Sequence, residues 1–193
     1  MKKFKLTSEF IVDISGVKLF RIKALIEFGN VKAGDLGGYI EKEENLSHMG
    51  DAWVSDDARI SGNAQVFGNA QVFGNARVFG NAWVSGNAQV FGDAQVSGNA
   101  RVFGNARVSG DAQVFGDARV SGDKDYAYAH GFGSCNRTTT FFRLKDGDVG
   151  VRCGCFYGTL AQFRDKVCET HGETKKAQEY LMLADLMEIR FKN

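Results

Sequence analysis

From Gly50 to Ser121 a six-residue unit repeats twelve times without a gap. A typical unit is Gly68-Asn69-Ala70-Gln71-Val72-Phe73. Ala recurs at every sixth position from Ala52 to Ala118, and Val, or Ile once at Ile60, follows two residues later. Gly opens eleven of the twelve units, Asp56 being the exception, and Asn or Asp always stands second. Self-similarity this strict marks stacked supersecondary units that share one continuous core. Within a unit, Ala-x-Val alternates small apolar, polar and branched apolar, the period of a short strand with one buried face. Gly-Asn and Gly-Asp tolerate positive φ, so the chain can turn after every strand. The interior is then filled by Ala and Val alone, which fit only a narrow tube. A helix is disfavoured, because a Gly at every sixth residue costs about 1 kcal/mol each and the apolar period is wrong.

Read from its valine, Val72-Phe73-Gly74-Asn75-Ala76-Arg77 resembles the hexapeptide repeat of left-handed β-helix proteins, an aliphatic residue followed four positions later by a small one. The resemblance implies three hexads per triangular turn, hence about four full turns from twelve hexads. At ~4.8 Å per turn the prism is roughly 19 Å long. The departure lies just after the aliphatic residue, where that family is usually small. Here Phe67, Phe73, Phe79, Phe91, Phe103 and Phe115 share that position with six Ser.

A wrap of about eighteen residues, as the resemblance implies, predicts columns. One face carries Trp53, Gln71, Gln89 and Arg107, the second Arg59, Arg77, Gln95 and Gln113, the third Gln65, Trp83, Arg101 and Arg119. Phe73 and Phe91 become direct neighbours, whereas Phe79/Phe115 and Phe67/Phe103 are each separated by a Ser. Two readings of these aromatics stand side by side. Either the six Phe with Trp53 and Trp83 form apolar stripes for a partner or for self-association, or each ring lies over its neighbouring coil and shields a corner. Left-handed β-helix relatives commonly form trimers through their prism faces, so the resemblance implies a homo-oligomer, a trimer first.

The formal net charge of +1 gives no electrostatic footprint for nucleic acid or a membrane surface. No apolar run approaches membrane-spanning length, and the basic start continues into Thr7-Ser8-Glu9 without a signal-peptide core. All four Cys lie in the C-terminal third, which fits a reducing cytoplasm, the location expected.

The domain reading is 1–49, 50–122 and 123–193. In the first, Phe10 to Ile14, a Ser15-Gly16 turn and Val17 to Ile22 predict a β-hairpin that caps the open solenoid end. Residues 29–49 lead into the repeat, with Leu46 and Ile40 one and two hexads before Ala52. The stretch from Asn30 to Glu41, with Glu44-Asn45-Leu46-Ser47, resembles the same segment of hexapeptide-repeat proteins of bacteriophages and bacteria. Some of those carry an acyltransferase label on fold alone, a weak warrant for activity. Beyond Asp123 the composition turns globular. Strands are expected at Asp125 to His130, Asn136 to Leu144 and from Val149 or Val151 to Phe156. A helix opens on the capping box Thr159/Gln162 and closes at Gly172, and a second runs from about Lys175 to Phe191. The whole is mainly β: a hexapeptide-repeat β-helix with an N-terminal hairpin cap and a small C-terminal α+β domain.

Acyl transfer on the resembled fold uses a His near the coils. None lies between Gly50 and Ser121, no loop interrupts the hexads, and His48 only borders them. The three His of a β-helical carbonic anhydrase have no counterpart in the scattered His48, His130 and His171, and the repeats lack the Thr columns of an ice-binding face. The C-terminal domain is richer. Its Gly-rich loop at His130 stands with Arg137, Thr139, Arg152, Cys153, Cys155 and His171 as a candidate anion site, for a nucleotide phosphate for example. Cys153 and Cys155 are read as alternating along one strand and facing one side, with Cys135 or Cys168 as neighbours. Cys-x-Cys without a second pair is poor evidence for zinc, so no metal and no cofactor are expected. The functional expectation is a non-enzymatic scaffold and binding protein, phage-related by resemblance, that presents its C-terminal domain to a host protein or a small nucleotide. The rival is an enzyme, either an acyltransferase at the coils or a Cys/His activity in the C-terminal domain.

Overall fold

The computed structural model describes residues 2–134 and 136–192. The hexads form a β-solenoid of twelve two-residue strands, from Trp53–Val54 to Arg119–Val120, arranged as three parallel faces. Trp53 pairs with Gln71, Gln71 with Gln89 and Gln89 with Arg107, and the other faces run in the same eighteen-residue steps. Every hexad Ala and every Val, with Ile60, is fully buried. Each buried Val contributes about 1.5 kcal/mol relative to an exposed one. The opening Gly residues have positive φ, 71° at Gly68, and those from Gly50 to Gly98 each pack on the Gly eighteen residues on, so a side chain would meet backbone. Asp56, the exception, keeps φ at 56° and accepts from Gly74 N through Oδ2 (2.9 Å). A short polar side chain tolerates that conformation. The second-position side chains stack in columns, Asn63 donating to Asn81, Asn81 to Asn99 and Asn99 to Asp117, at 3.1–3.3 Å.

The N-terminal hairpin comprises β1 (Phe4–Val12) and β2 (Lys18–Ala24), with β3 (Leu36–Ile40) beside it. Rather than lying flat across the first coil, the hairpin extends one face. β1 and β2 are antiparallel, β2 is antiparallel to β3, and β3 is parallel to the Arg59–Ile60 strand, so this face has seven strands. With β3 and the bridge from Leu46 to Val66, the solenoid makes about five turns, one more than the hexads alone supply. Phe4, Ile22, Ala24 and Leu46 plug the tube's end and join its core.

A parallel coil leaves backbone groups unpaired at each end, and side chains replace the missing coil. At the first coil, buried Lys3 donates through Nζ to Gly50 O (3.1 Å) and Ala52 O (2.7 Å). Buried Asn45 donates through Nδ2 to Gly62 O (3.1 Å) and Ala64 O (2.9 Å). At the last coil the orphans are N–H groups. Arg107 N donates to Asp123 Oδ1 (3.0 Å), and Gln113 N to Thr140 Oγ1 (2.9 Å).

The C-terminal domain is a four-stranded antiparallel meander, β4 (Tyr126–Ala129), β5 (Thr139–Arg143), β6 (Val149–Cys153) and β7 (Phe156–Thr159), followed by α1 (Leu160–His171) and α2 (Lys175–Phe191). The sequence predicts three strands, and β7 is the addition. Cys153 pairs with Phe156 across a two-residue Gly154-Cys155 loop, so the third strand ends at Cys153 and a fourth begins. Thr159 caps α1, accepting from Gln162 N (3.3 Å) as the capping box predicts. Alternation gives the sheet two faces. Tyr126 and Phe142 enter the solenoid core, while Phe141, Val149 and Val151 pack on α1 and α2. Tyr128 and Tyr157 set their hydroxyls against Gly110 and Gly116, where the next coil would otherwise stack.

Candidate functional site

One cavity of the C-terminal domain, smaller than the open cleft at Arg143 and Leu160, lies where the β6–β7 turn and the loop at Ser134 meet α1 and α2. It measures about 210 Å³ and is lined by Ser134, Arg137, Cys153, Cys155, Phe156, Phe163, Lys166, Val167, Thr170, His171 and Tyr180. Phe156, Phe163, Val167 and Tyr180 form its apolar wall. Phe163 stands edge-on to Tyr180, with ring centroids 5.6 Å apart. Arg137, Lys166 and His171 supply the basic groups, and Lys166 is also paired with Glu169 (2.8 Å).

Tyr180 organises the site. Its ring is buried, and its Oη accepts from Ser134 N (2.9 Å) and donates to Ser134 O (3.3 Å), which fastens the loop to α2. Gly133 lies against that ring so closely that a Cβ there would sit inside it. Gly133 N donates to Glu179 Oε2 (2.7 Å), a second tether to the same helix. Burial holds the Tyr180 phenol above its usual pKa, and neighbouring Cys153 adds to the rise. Cys153 Sγ accepts from Thr139 Oγ1 (3.2 Å) and lies 3.7 Å from Tyr180 Oη.

Of the residues singled out by sequence, Arg137, Cys153, Cys155 and His171 line this one cavity, and buried Thr139 supports it through Cys153. His130 and Arg152 are elsewhere. His130 Nδ1 is 2.9 Å from Thr138 Oγ1 and 3.9 Å from Asp111 Oδ2. Arg152 points from the sheet's other face, its guanidinium over the Phe115 ring (5.1 Å) and its Nε toward Gln113 Oε1 (3.4 Å). The reason is strand parity: Arg152 and Cys153 are adjacent in β6 and face opposite sides. The expectation that Cys153 and Cys155 alternate along one strand is also corrected. Cys155 sits in the turn, and the turn brings both thiols to the same cavity. Cys135 lies outside the described residues. Among those described, no group of three His, Cys, Asp or Glu is placed to hold a metal ion. Tyr180 and Lys166 were missed by sequence reasoning, Tyr180 because its helical spacing marks it only as core.

His48, at the other end, has both ring nitrogens engaged. Nδ1 accepts from Lys3 N (3.1 Å), Nε2 is 2.7 Å from Glu43 Oε1, and the ring stacks on Phe4 (4.3 Å).

The aromatic candidates on the solenoid separate. Trp53 is buried, with Phe28 edge-on at 5.4 Å, so the first member of its column is covered by the lead-in segment. Phe73 and Phe91 stack face to face at 4.9 Å. Phe115 is covered by Tyr157 and Arg152, and Phe67 lies edge-on to Trp83 at 6.0 Å. Phe79, Trp83 and Phe103 remain exposed, Trp83 beneath the Arg101 guanidinium (4.4 Å). No helix among the described residues is long and apolar enough to cross a membrane.

A family model described as the YdcK beta solenoid repeat matches residues 58–72, 70–86 and 94–110, all inside the hexads. No curated protein matches the chain.

Proposed function

We propose that this chain is a non-enzymatic binding protein in which the solenoid is a spacer and the C-terminal domain captures a small anionic ligand with a flat or apolar body. The observation that carries the reading is the cavity at Tyr180, apolar within and fringed by Arg137, Lys166 and His171. At about 210 Å³ it falls below the usual range for a whole drug-sized ligand, so one end of the ligand enters and its charge stays at the rim. A planar guanidinium at Arg137 suits a carboxylate or phosphate. A nucleoside monophosphate meets both requirements. If the chain is of phage origin, as the resemblance of its lead-in segment implies, capture of a host nucleotide signal is the biological form of this reading.

The test is native mass spectrometry and calorimetry of the full chain against a panel of nucleoside monophosphates. One-to-one binding weakened at least tenfold by Arg137→Ala is expected. Binding to no member, or binding indifferent to Arg137→Ala and His171→Ala, overturns it.

A second reading has its own observation, that Cys153, Cys155 and His171 line the same cavity. A Cys/His enzyme would bind the panel and also turn a member over, with turnover lost in Cys153→Ser or Cys155→Ser while binding persists. An acyltransferase at the coils gains no such support, since His48 is bonded through both ring nitrogens.

A further inference from the structure

Helix α2 has two apolar stripes. Ala177, Tyr180, Ala184, Met187 and Phe191 are buried beneath it. Met182, Leu186 and Ile189 face solvent with 71%, 54% and 70% of their surface exposed. Isolated exposed hydrophobics are ordinary, but three long ones aligned on the last turns of one helix are not. Their spacings of four and three are those of a two-helix seam, narrower than the face a helix shows to a globular core. The same register continued toward the N-terminus falls on Glu179 and Lys175, both charged, and Glu179 is held by Gly133 N. The seam is therefore confined to the last turns.

The flanking charges say what covers it. Asp185 and Arg190 stand on opposite sides of the seam, five residues apart, the separation at which opposite charges meet across a parallel helix pair. In an antiparallel pair each would face its own copy, and like charges would repel. Asp185 binds Arg164 through Oδ1 (2.7 Å) yet keeps 66% of its side chain exposed. Arg190 donates through Nη2 to the carbonyls of Asp123 (3.1 Å) and Tyr126 (3.4 Å), and no carboxylate among the described residues pairs with it.

We infer that a second copy of this chain packs its α2 against α2 in parallel, with Leu186 on the two-fold axis and Asp185 of each copy meeting Arg190 of the other. The helices are already folded on their domains, so pairing carries no helix-forming penalty. A contact this short buries less than the ~800 Å² per partner of a standard interface, so the dimer is weak and forms only at high protein concentration.

Sedimentation velocity of the full chain at about 10 to 300 µM tests this. Concentration-dependent dimerisation is expected, lost in Leu186→Glu. Asp185→Arg and Arg190→Asp each weaken it at least threefold, and the double swap restores it. Circular dichroism verifies that each variant is folded. A monomer throughout the range overturns the inference, as does failure of the double swap. Association that survives Leu186→Glu but is lost in Trp83→Glu also overturns it, in favour of the prism faces.

Discussion

Lys3 is 1% exposed, and its ammonium stands in for two backbone N–H groups of a coil that is not there. Burial lowers its pKa from the usual 10.5 to about 8, with Asp51 opposing the fall. The folded protein thus releases this proton at lower pH than the unfolded chain. Between pH about 8 and 10.5 the unfolded state binds more protons, so stability rises with pH across that window and is flat with respect to this group below it. Lys3→Met should abolish the rise. It should also lower stability at pH 7 by about 1–3 kcal/mol, because Gly50 O and Ala52 O lose their donor. Urea midpoints of both proteins from pH 7 to 10.5 measure this, and parallel curves would remove Lys3 from the account. Nothing in Met-Lys-Lys-Phe identifies the second lysine as a plug, since the signal is the geometry of a coil end distant in sequence. Trp53 is hidden for a similar reason, as Phe28 reaches it only once the lead-in segment folds back. Arg152 differs: its parity against Cys153 was available from the sequence and separates the two residues.

At the level of elements, the twelve strands and both helices were legible because each rests on a local period or cap, whereas their eighteen-residue pairing came from the resemblance to hexapeptide-repeat β-helices. The Thr159 box fixed the start of α1. β7 is not among the predicted strands, although Gly154-Cys155 between Cys153 and Phe156 has the length and leading Gly of a two-residue hairpin loop. The Cys-x-Cys spacing suggested a continuous strand instead. Nor could the sequence reveal that the sheet's solenoid face supplies acceptors as well as bulk. Thr140 is fully buried and closes the last coil by accepting from Gln113 N. Thr140→Val keeps the shape and removes the acceptor, so the N–H is left buried and unpaired. A loss of about 1–3 kcal/mol is expected. Hydrogen exchange should accelerate at the Gln113 amide but not at the Gln95 amide, which donates to Ala112 O (2.9 Å) inside the stack. Equal acceleration at both would mean that the whole end has loosened, and the cap would not be the cause.

For the whole molecule, the interior is Ala and Val in every hexad, Ile60 apart, while the exterior varies. Deleting one wrap, residues 86–103, or one hexad, residues 86–91, preserves the Ala and Val tube and both caps' local contacts. The cavity is built only from residues beyond Ser121 and should survive either deletion. The outer columns respond differently. Removing residues 86–103 leaves Arg59 and Arg77 followed by Gln113 on their face. Removing residues 86–91 brings Arg101 and Arg119 into the registers of Gln95 and Gln113, so four arginines stack at ~4.8 Å intervals. Like charges directly opposite each other in a sheet destabilise it by about 0.2–1 kcal/mol per pair, and salt screens them. Both proteins should fold, with the same rate of cavity thiol modification as the parent. The six-residue deletion alone should gain melting temperature between about 20 and 500 mM NaCl beyond the parent's own gain. A salt response identical in both deletions would show that the arginine columns carry no energy, and that the solenoid's stability is set by its Ala and Val interior and its caps.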